Sequence, residues 1–191
     1  MSAEILSKTA RSSSGLTQVE LARRSGVAGS SLSLIERGIR EPTFSTLESI
    51  LRATRHTIVT IPTVRADAAR ISSEIENALF LADERLAFQL FIQLADNLAA
   101  EEGATKVGLT LTRPATTGSA KWDAAVAALC EYRLKSKRLP IPDWVRKQKG
   151  DSRSRWTPRT SEYNILPDPR NVPNEFLRRG ILIEAQTLES A

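Results

Sequence analysis

The chain has 191 residues, of which 41% are hydrophobic and 26% are charged. This composition is typical of a soluble globular protein and argues against a largely disordered one. No apolar stretch approaches the roughly 20 residues that span a bilayer, and the first residues lack the apolar core of a signal peptide. A single cysteine, Cys130, leaves no internal disulfide. We expect a cytoplasmic protein of one or two domains with no membrane partner.

The net charge of +5 is unevenly distributed along the chain. Residues 1–62 carry eight Lys and Arg against five Asp and Glu, and residues 105–191 carry sixteen against nine. Residues 63–104, between them, carry three against eight. Two basic ends around an acidic middle favour contact with a polyanion, but they do not identify it.

Four short helices with sharp ends are predicted in the first third of the chain. They span residues 3–11, 18–25 and 29–37, followed by a fourth that begins at Thr43 or Ser45. Thr17 and Glu20 match a capping box for the second helix, and Gly26 and Gly38 supply the stops after the second and third.

The spacing of apolar residues is no longer helical at residues 56–63. Ile58, Val59 and Ile61 stand among threonines, and Pro62 closes the segment, so that we predict a short β-strand. Because a lone strand leaves its backbone groups unpaired, this strand should pair with another copy of the chain or with a distant segment.

The rest of the chain is predicted to be helical. A capping box at residues 73–76 opens one helix, and Asp83 caps another that covers residues 84–100 with apolar side chains on nearly all sides. Residues 103–118 are expected to form a long polar connection, partly extended at its centre. A further helix begins at Ser119 and places these residues on one face: Trp122, Val126, Leu129, Cys130 and Leu134. A last short helix is expected near residues 174–179.

The most informative motif lies between residues 16 and 38. It reads Leu-Thr-Gln-Val-Glu-Leu-Ala, then Gly-Val-Ala, then Leu-Ile-Glu-Arg-Gly. Its apolar positions are those at which two helices crossing at roughly 90–120° must bury side chains: Leu21, Ala22, Val27, Leu32 and Ile35. The motif resembles the XRE (Cro/C1-type) family of helix-turn-helix DNA-binding regulators, and the resemblance covers residues 3–53.

Together with the helices and the strand predicted from residue patterns, the resemblance leads us to expect a mainly α fold in three parts. Residues 1–56 would form a four-helix, lambda-repressor-like helix-turn-helix domain. Residues 57–70 would hold the short strand and a linker. Residues 71–191 would form a helical C-terminal domain that binds a partner or senses a signal.

The resemblance also assigns DNA-binding roles, with double-stranded DNA as the partner. Gln18 would bind a backbone phosphate beside the N-terminal amides of its helix. Four residues at the start of the recognition helix would meet base edges, and three others would reach flanking phosphates. The first group is Gly29, Ser30, Ser33 and Leu34, and the second is Arg37, Arg40 and Thr43. Glu36 would tie the scaffold together through backbone or arginine contacts.

The base-reading positions depart from those of strong sequence readers. Gly29 and Ser30 occupy positions where such proteins carry Arg or Gln, whose bidentate contacts discriminate between bases. DNA shape or a partner protein must therefore supply part of the specificity.

Residues 133–159 combine ten Lys and Arg with Trp144 and Trp156. Such a segment can bind nucleic acid through charge and stacking. Two alternatives are a solvated loop whose tryptophans fill the domain core, which we favour, and docking to an acidic protein.

No enzymatic, metal or cofactor role is predicted. One His and one Cys are too few for a clustered metal site, and nothing marks a nucleophile that would pair with His56. Glycine-rich phosphate-binding motifs are absent from the sequence.

Two functions are open for the C-terminal part. Residues 134–144 and 176–185 resemble the second domain of some actinobacterial XRE regulators encoded beside nucleotidyltransferase-type toxins. This implies an antitoxin that neutralises a co-encoded toxin and represses their shared promoter. The alternative is a plain XRE-type regulator that senses a ligand or a protein. In both cases we expect a homodimer on an imperfect palindrome, because one such module buries too little surface for tight binding.

Overall fold

Ten α-helices account for most of the residues that the computed structural model describes, which are 2–158 and 167–189. The chain divides into two units, Met1–Pro62 and Thr63–Ala191. No helix in the described ranges is long and apolar enough to cross a bilayer. The mainly helical fold that the sequence predicts is therefore confirmed.

Unit 1 contains the four predicted helices. They are α1 (Ala3–Ser13), α2 (Gln18–Ser25), α3 (Gly29–Glu36) and α4 (Phe44–Ala53). The start of α4 is settled in favour of Thr43, whose hydroxyl accepts a hydrogen bond from the Thr46 amide at 3.2 Å. Gly26 ends α2 with a φ of 70°, a backbone conformation that residues with a Cβ rarely adopt.

Unit 2 contains six helices and two 3₁₀ turns within its described part. The helices are α5 (Ala68–Phe80), α6 (Glu84–Ala100), α7 (Gly103–Leu111), α8 (Ala120–Lys135), α9 (Asp143–Lys147) and α10 (Asn174–Leu177), and the 3₁₀ turns are Pro169–Asn171 and Ala185–Leu188. α5 and α6 form an antiparallel hairpin. α6 begins after Asp83 and ends at Ala100, as the sequence predicts, and α10 confirms the last short helix.

The core of unit 2 is centred on α6 and α8. The Phe91 ring meets Trp122 edge-on at 5.9 Å and Phe176 at 6.4 Å. The five residues that the sequence places on one face of α8, from Trp122 to Leu134, are buried. The small residues on its other sides are buried as well: Ala124, Ala125, Ala127 and Ala128. Alanine lets neighbouring elements approach α8 closely on all sides.

Two sequence-based predictions for unit 2 are wrong, and the strand predicted at residues 56–63 is not shown. Residues 56–63 do not pair as a strand with any described part of the chain. A strand here would need a partner for its backbone hydrogen bonds, so pairing with another copy stays a prediction. α5 begins five residues before Ser73, where the Asp67 carboxylate accepts from the Arg70 amide at 2.8 Å. Residues 103–111 form α7 rather than an extended connection, since Leu109 packs into the core of unit 2.

A buried arginine that the sequence analysis did not single out joins α8, α9 and α10. The Arg179 guanidinium donates to the Glu131 carboxylate at 2.8 Å, and also to the carbonyl oxygens of Val145 at 2.8 Å and Gln148 at 3.1 Å. Glu131 also accepts from Arg178. Buried charge of this kind is tolerated when it is paired and its donors are satisfied.

Candidate nucleic-acid interface

The crossing of α2 and α3 is held by a small apolar core. Leu21, Leu32, Ile35 and Ile50 are each at most 1% exposed, and Ala22 and Val27 pack against them as partly buried neighbours. These are the positions that the motif predicts for the interior. The crossing fixes the direction of α3, and with it the side chains that face outward.

The start of α3 is exposed to solvent. Gly29 and Ser30 are exposed, and Ser33 and Leu34 are half-buried on the same helix. Ala28 precedes the helix and supplies no capping side chain, so that the first amides of α3 remain available to an external acceptor. A helix start with free amides favours an anionic partner such as a phosphate.

Exposed cations and a threonine flank this surface. Arg37, Arg40 and Thr43 are all exposed. Arg40 donates to the Ser31 hydroxyl at 3.0 Å, which holds the loop after α3 against the helix. Thr43 caps α4, and its hydroxyl lies 2.8 Å from that of Thr46. Seven of the eight predicted residues therefore lie on α3 or on the segment that follows it.

Gln18, the eighth predicted residue, is half-buried at the start of α2. Its side-chain amide donates to the Glu36 carboxylate at 2.8 Å. The other partner of Glu36 is Arg11, whose Nε lies 2.8 and 3.1 Å from the two carboxylate oxygens. Arg11 also donates to the Leu16 carbonyl oxygen at 3.2 Å. The Glu36 side chain is 3% exposed and links the ends of α1 and α3 to the start of α2.

This network confirms the expected scaffold role of Glu36 and adds Arg11, which the sequence analysis missed. The missed signal is a basic residue in the last turn of α1, which by itself looks like an ordinary partner of the helix dipole. Only the fold brings it to a carboxylate 25 residues further along.

The capping box at the start of α2 is present as predicted. The Thr17 amide and hydroxyl both donate to the Glu20 carboxylate at 2.8 Å, and the Glu20 amide donates back to the Thr17 hydroxyl at 3.2 Å. Because these bonds favour the charged carboxylate, the pKa of Glu20 is held below its ordinary value, first by the backbone amide and then by the hydroxyl.

The basic segment that begins at Arg133 does not form a stacking platform. Trp144 is half-buried and donates to the Thr110 carbonyl oxygen at 2.8 Å, and Trp156 packs edge-on against Trp122 at 5.1 Å. Lys135 pairs with Glu175 at 2.7 Å. The tryptophans thus pack against the domain core, as the favoured alternative predicts. Arg159, the last basic residue of the segment, lies outside the described residues.

Comparison with known proteins identifies one part of the chain. Residues 8–57, about a quarter of its length, match the helix-turn-helix family. No curated protein and no solved structure matches the chain. The match covers α2, α3, α4 and most of α1, and it supports DNA-binding transcription regulation of the XRE type for this part.

Proposed function

We propose that this protein is a sequence-specific transcriptional repressor that binds double-stranded DNA as a homodimer. The observation that carries the proposal is the exposed, uncapped start of α3, where Gly29 and Ser30 would meet base edges. The neighbouring Arg37 and Arg40 are exposed and would bind phosphates on either side. Repression would follow from occlusion of the promoter.

The proposed mechanism places the two recognition helices of a dimer in major-groove faces one helical turn apart, roughly 34 Å. Gln18 would donate to a phosphate through its side-chain amide. To do so, the amide would have to break its hydrogen bond to Glu36 or use its second N–H. Serines and a glycine discriminate weakly between bases. Part of the specificity would therefore come from the deformability of the DNA between the half-sites.

The test is selection of bound sequences from random double-stranded DNA, followed by footprinting on the selected site. We expect an imperfect palindrome with protected half-sites about one helical turn apart. Selection that yields no enriched sequence, or a single half-site bound by one chain, would contradict the proposal.

For unit 2 we propose the antitoxin role, in which it binds and neutralises a co-encoded nucleotidyltransferase-type toxin. The support is the resemblance of residues 134–144 and 176–185 to regulators encoded beside such toxins. Many of these residues are buried in the core, among them Leu134, Phe176 and Ile181. The resemblance therefore supports a type of domain, and it does not identify the surface that would bind the toxin. This role needs no catalysis, and we propose none.

Gene deletion separates this role from the alternative of a ligand or protein sensor. If the protein is an antitoxin, deletion of its gene alone arrests growth, and deletion together with the adjacent toxin gene does not. A sensor gives a harmless single deletion and a DNA affinity that changes with a ligand. A harmless single deletion would therefore remove the antitoxin proposal and leave the DNA-binding proposal intact.

A further inference from the structure

The turn between α5 and α6 exposes large apolar side chains. Phe80 is 89% exposed and the adjacent Leu81 is 72% exposed. Ala82 completes the turn with a φ of 56°, so that the two side chains are presented at a tight bend. Adjacent exposed apolar side chains on a folded domain make this turn a candidate surface for binding another protein.

A groove of about 710 Å³ lies beside this turn. One wall comes from α5 and α6, with Leu79, Phe80 and two glutamates. The other wall comes from residues 117–122, where α8 begins. Trp122 and Trp156 also line the groove, and it therefore offers an apolar surface large enough to receive side chains such as Phe80.

The two walls of the groove carry opposite charge. Glu76 and Glu84 lie on the α5–α6 side, and Lys121 lies on the α8 side. The first turn of α8 also holds Asp123, whose carboxylate accepts from the Thr117 amide at 2.8 Å and from the Thr117 hydroxyl at 2.7 Å. Within the described residues, none of Glu76, Glu84 and Lys121 forms an ion pair.

We propose that this groove is the face through which two copies of the chain associate. A twofold axis places the same patch opposite itself, so that the acidic wall of one copy meets Lys121 of the other. Each Phe80 then packs into the partner's groove. The patch is thus self-complementary in both charge and apolar surface. Because of this self-complementarity, we infer that the partner is a second copy of the chain rather than another protein. The inference rests on the proposed function, which requires a dimer.

The first test measures association of the full chain by sedimentation equilibrium in the absence of DNA. We expect a dimer for the unchanged protein and at least 100-fold weaker association for Phe80→Ser. The matched control is Phe44→Ser, which removes a similarly exposed phenylalanine (68% exposed) from unit 1 and should leave the dimer intact. A monomeric unchanged protein, a Phe80→Ser variant that still dimerises, or equal weakening in both variants would overturn the inference.

The second test uses the opposite charges of the two walls. Lys121→Glu alone and Glu76→Lys combined with Glu84→Lys should each weaken self-association, because like charges then face each other. Mixing the two variants should restore it, because the mixed dimer has opposite charges at both contacts. If the mixture associates no better than its components, the walls do not face each other and the inference fails.

DNA binding distinguishes failure of this inference from failure of the proposed function. If the inference is correct, Phe80→Ser still binds one half-site with an unchanged salt dependence and no longer binds the palindrome cooperatively. An unchanged protein that dimerises through the groove but binds no DNA would overturn the proposed function alone. Retained cooperative binding by monomeric Phe80→Ser would overturn the inference alone.

Discussion

At the scale of single residues, the interface depends on Glu36 as much as on the side chains that would face DNA. Its carboxylate is nearly fully buried and accepts from Arg11 and Gln18. These contacts fix the end of α3 relative to the start of α2. The residue thus positions α3 while its own side chain stays buried.

Replacement of Glu36 by alanine should destabilise unit 1 by about 2 kcal/mol, because the half-buried guanidinium of Arg11 and the side-chain amide of Gln18 then lose their carboxylate acceptor. The free energy of unfolding is obtained by urea denaturation followed by circular dichroism. Glu48→Ala is the matched control, since Glu48 pairs with Arg52 on the surface of α4 and should contribute about 0.5 kcal/mol or less. Equal destabilisation by the two substitutions would contradict the buried network.

Arg37 is expected to act through charge alone. Arg37→Ala should weaken binding to all DNA sequences alike and reduce the slope of log affinity against log salt by about 0.9 for each phosphate that the protein no longer neutralises. Titrations at several salt concentrations measure this, with the exposed Arg52→Ala on α4 as the control. An unchanged slope would mean that the orientation of α3 on DNA is wrong.

Substitutions at Leu34 and Ser30 should instead change the preference among DNA sequences and leave the salt dependence of binding unchanged. Leu34→Ala should change the preference among operator sequences, with the largest decrease in affinity at a thymine whose methyl group the side chain contacts. The salt slope should stay the same. Affinity measured across single-base operator variants checks this, and a uniform decrease on all of them would place Leu34 away from the bases.

At the scale of elements, the end of unit 2 depends on a close backbone approach at Gly180. Its φ is 75°, and a Cβ at this position would collide with the carbonyl oxygens of Asp151 and Ser154. The Trp156 amide donates to the Gly180 carbonyl oxygen at 2.8 Å, and the Leu182 amide donates to the Trp156 carbonyl oxygen at 2.8 Å. This short parallel pairing fastens the chain after α10 to the segment before it.

Gly180→Ala should therefore lower the free energy of unfolding of unit 2 by clearly more than the cost of placing alanine at a positive φ, because the added Cβ also collides with backbone atoms. The control is Gly118→Ala, at a φ of 77° with no atom near the added Cβ, which should cost about 1–2 kcal/mol. Thermal and urea unfolding of both variants give the comparison. If the two substitutions destabilise equally, the backbone does not approach Gly180 as closely as the structure indicates.

At the scale of the whole molecule, the two units have separate cores. The core of unit 1 is the small cluster at the α2–α3 crossing, and that of unit 2 is the larger set around α6 and α8. Between α4 and α5, residues 56–67 contain neither helix nor strand. Cores that share no residues allow each unit to carry its own function, which we propose to be DNA contact for unit 1 and partner binding for unit 2.

Limited proteolysis tests this division. Between the two units, trypsin should cleave early after Arg55 or Arg65, which are exposed and lie outside helices, as do Arg153 and Arg155 within unit 2. Cleavage after Arg23 and Arg24 in α2 should be slower, because the helix must open first. Mass spectrometry of early fragments identifies the sites, and fragments that begin within α2 or α6 would argue against two separately folded units.

The helix-turn-helix could be predicted from the sequence because the signals for it are local. A capping box, a glycine after α2 and apolar residues at helical spacing all lie within residues 16–38, and they need no distant partner to act. The same holds for α6, whose cap at Asp83 adjoins it.

Features that depend on distant partners became visible only in the folded chain. Residues 56–63 have the composition of a strand, but no described segment of the same chain pairs with them. α7 is a helix because the core of unit 2 receives its apolar face. Arg11 and Arg179 find their carboxylates only after folding, since each partner is more than 20 residues away. Hydrogen bonds and burial across such separations depend on the whole fold, and residue type alone does not specify them.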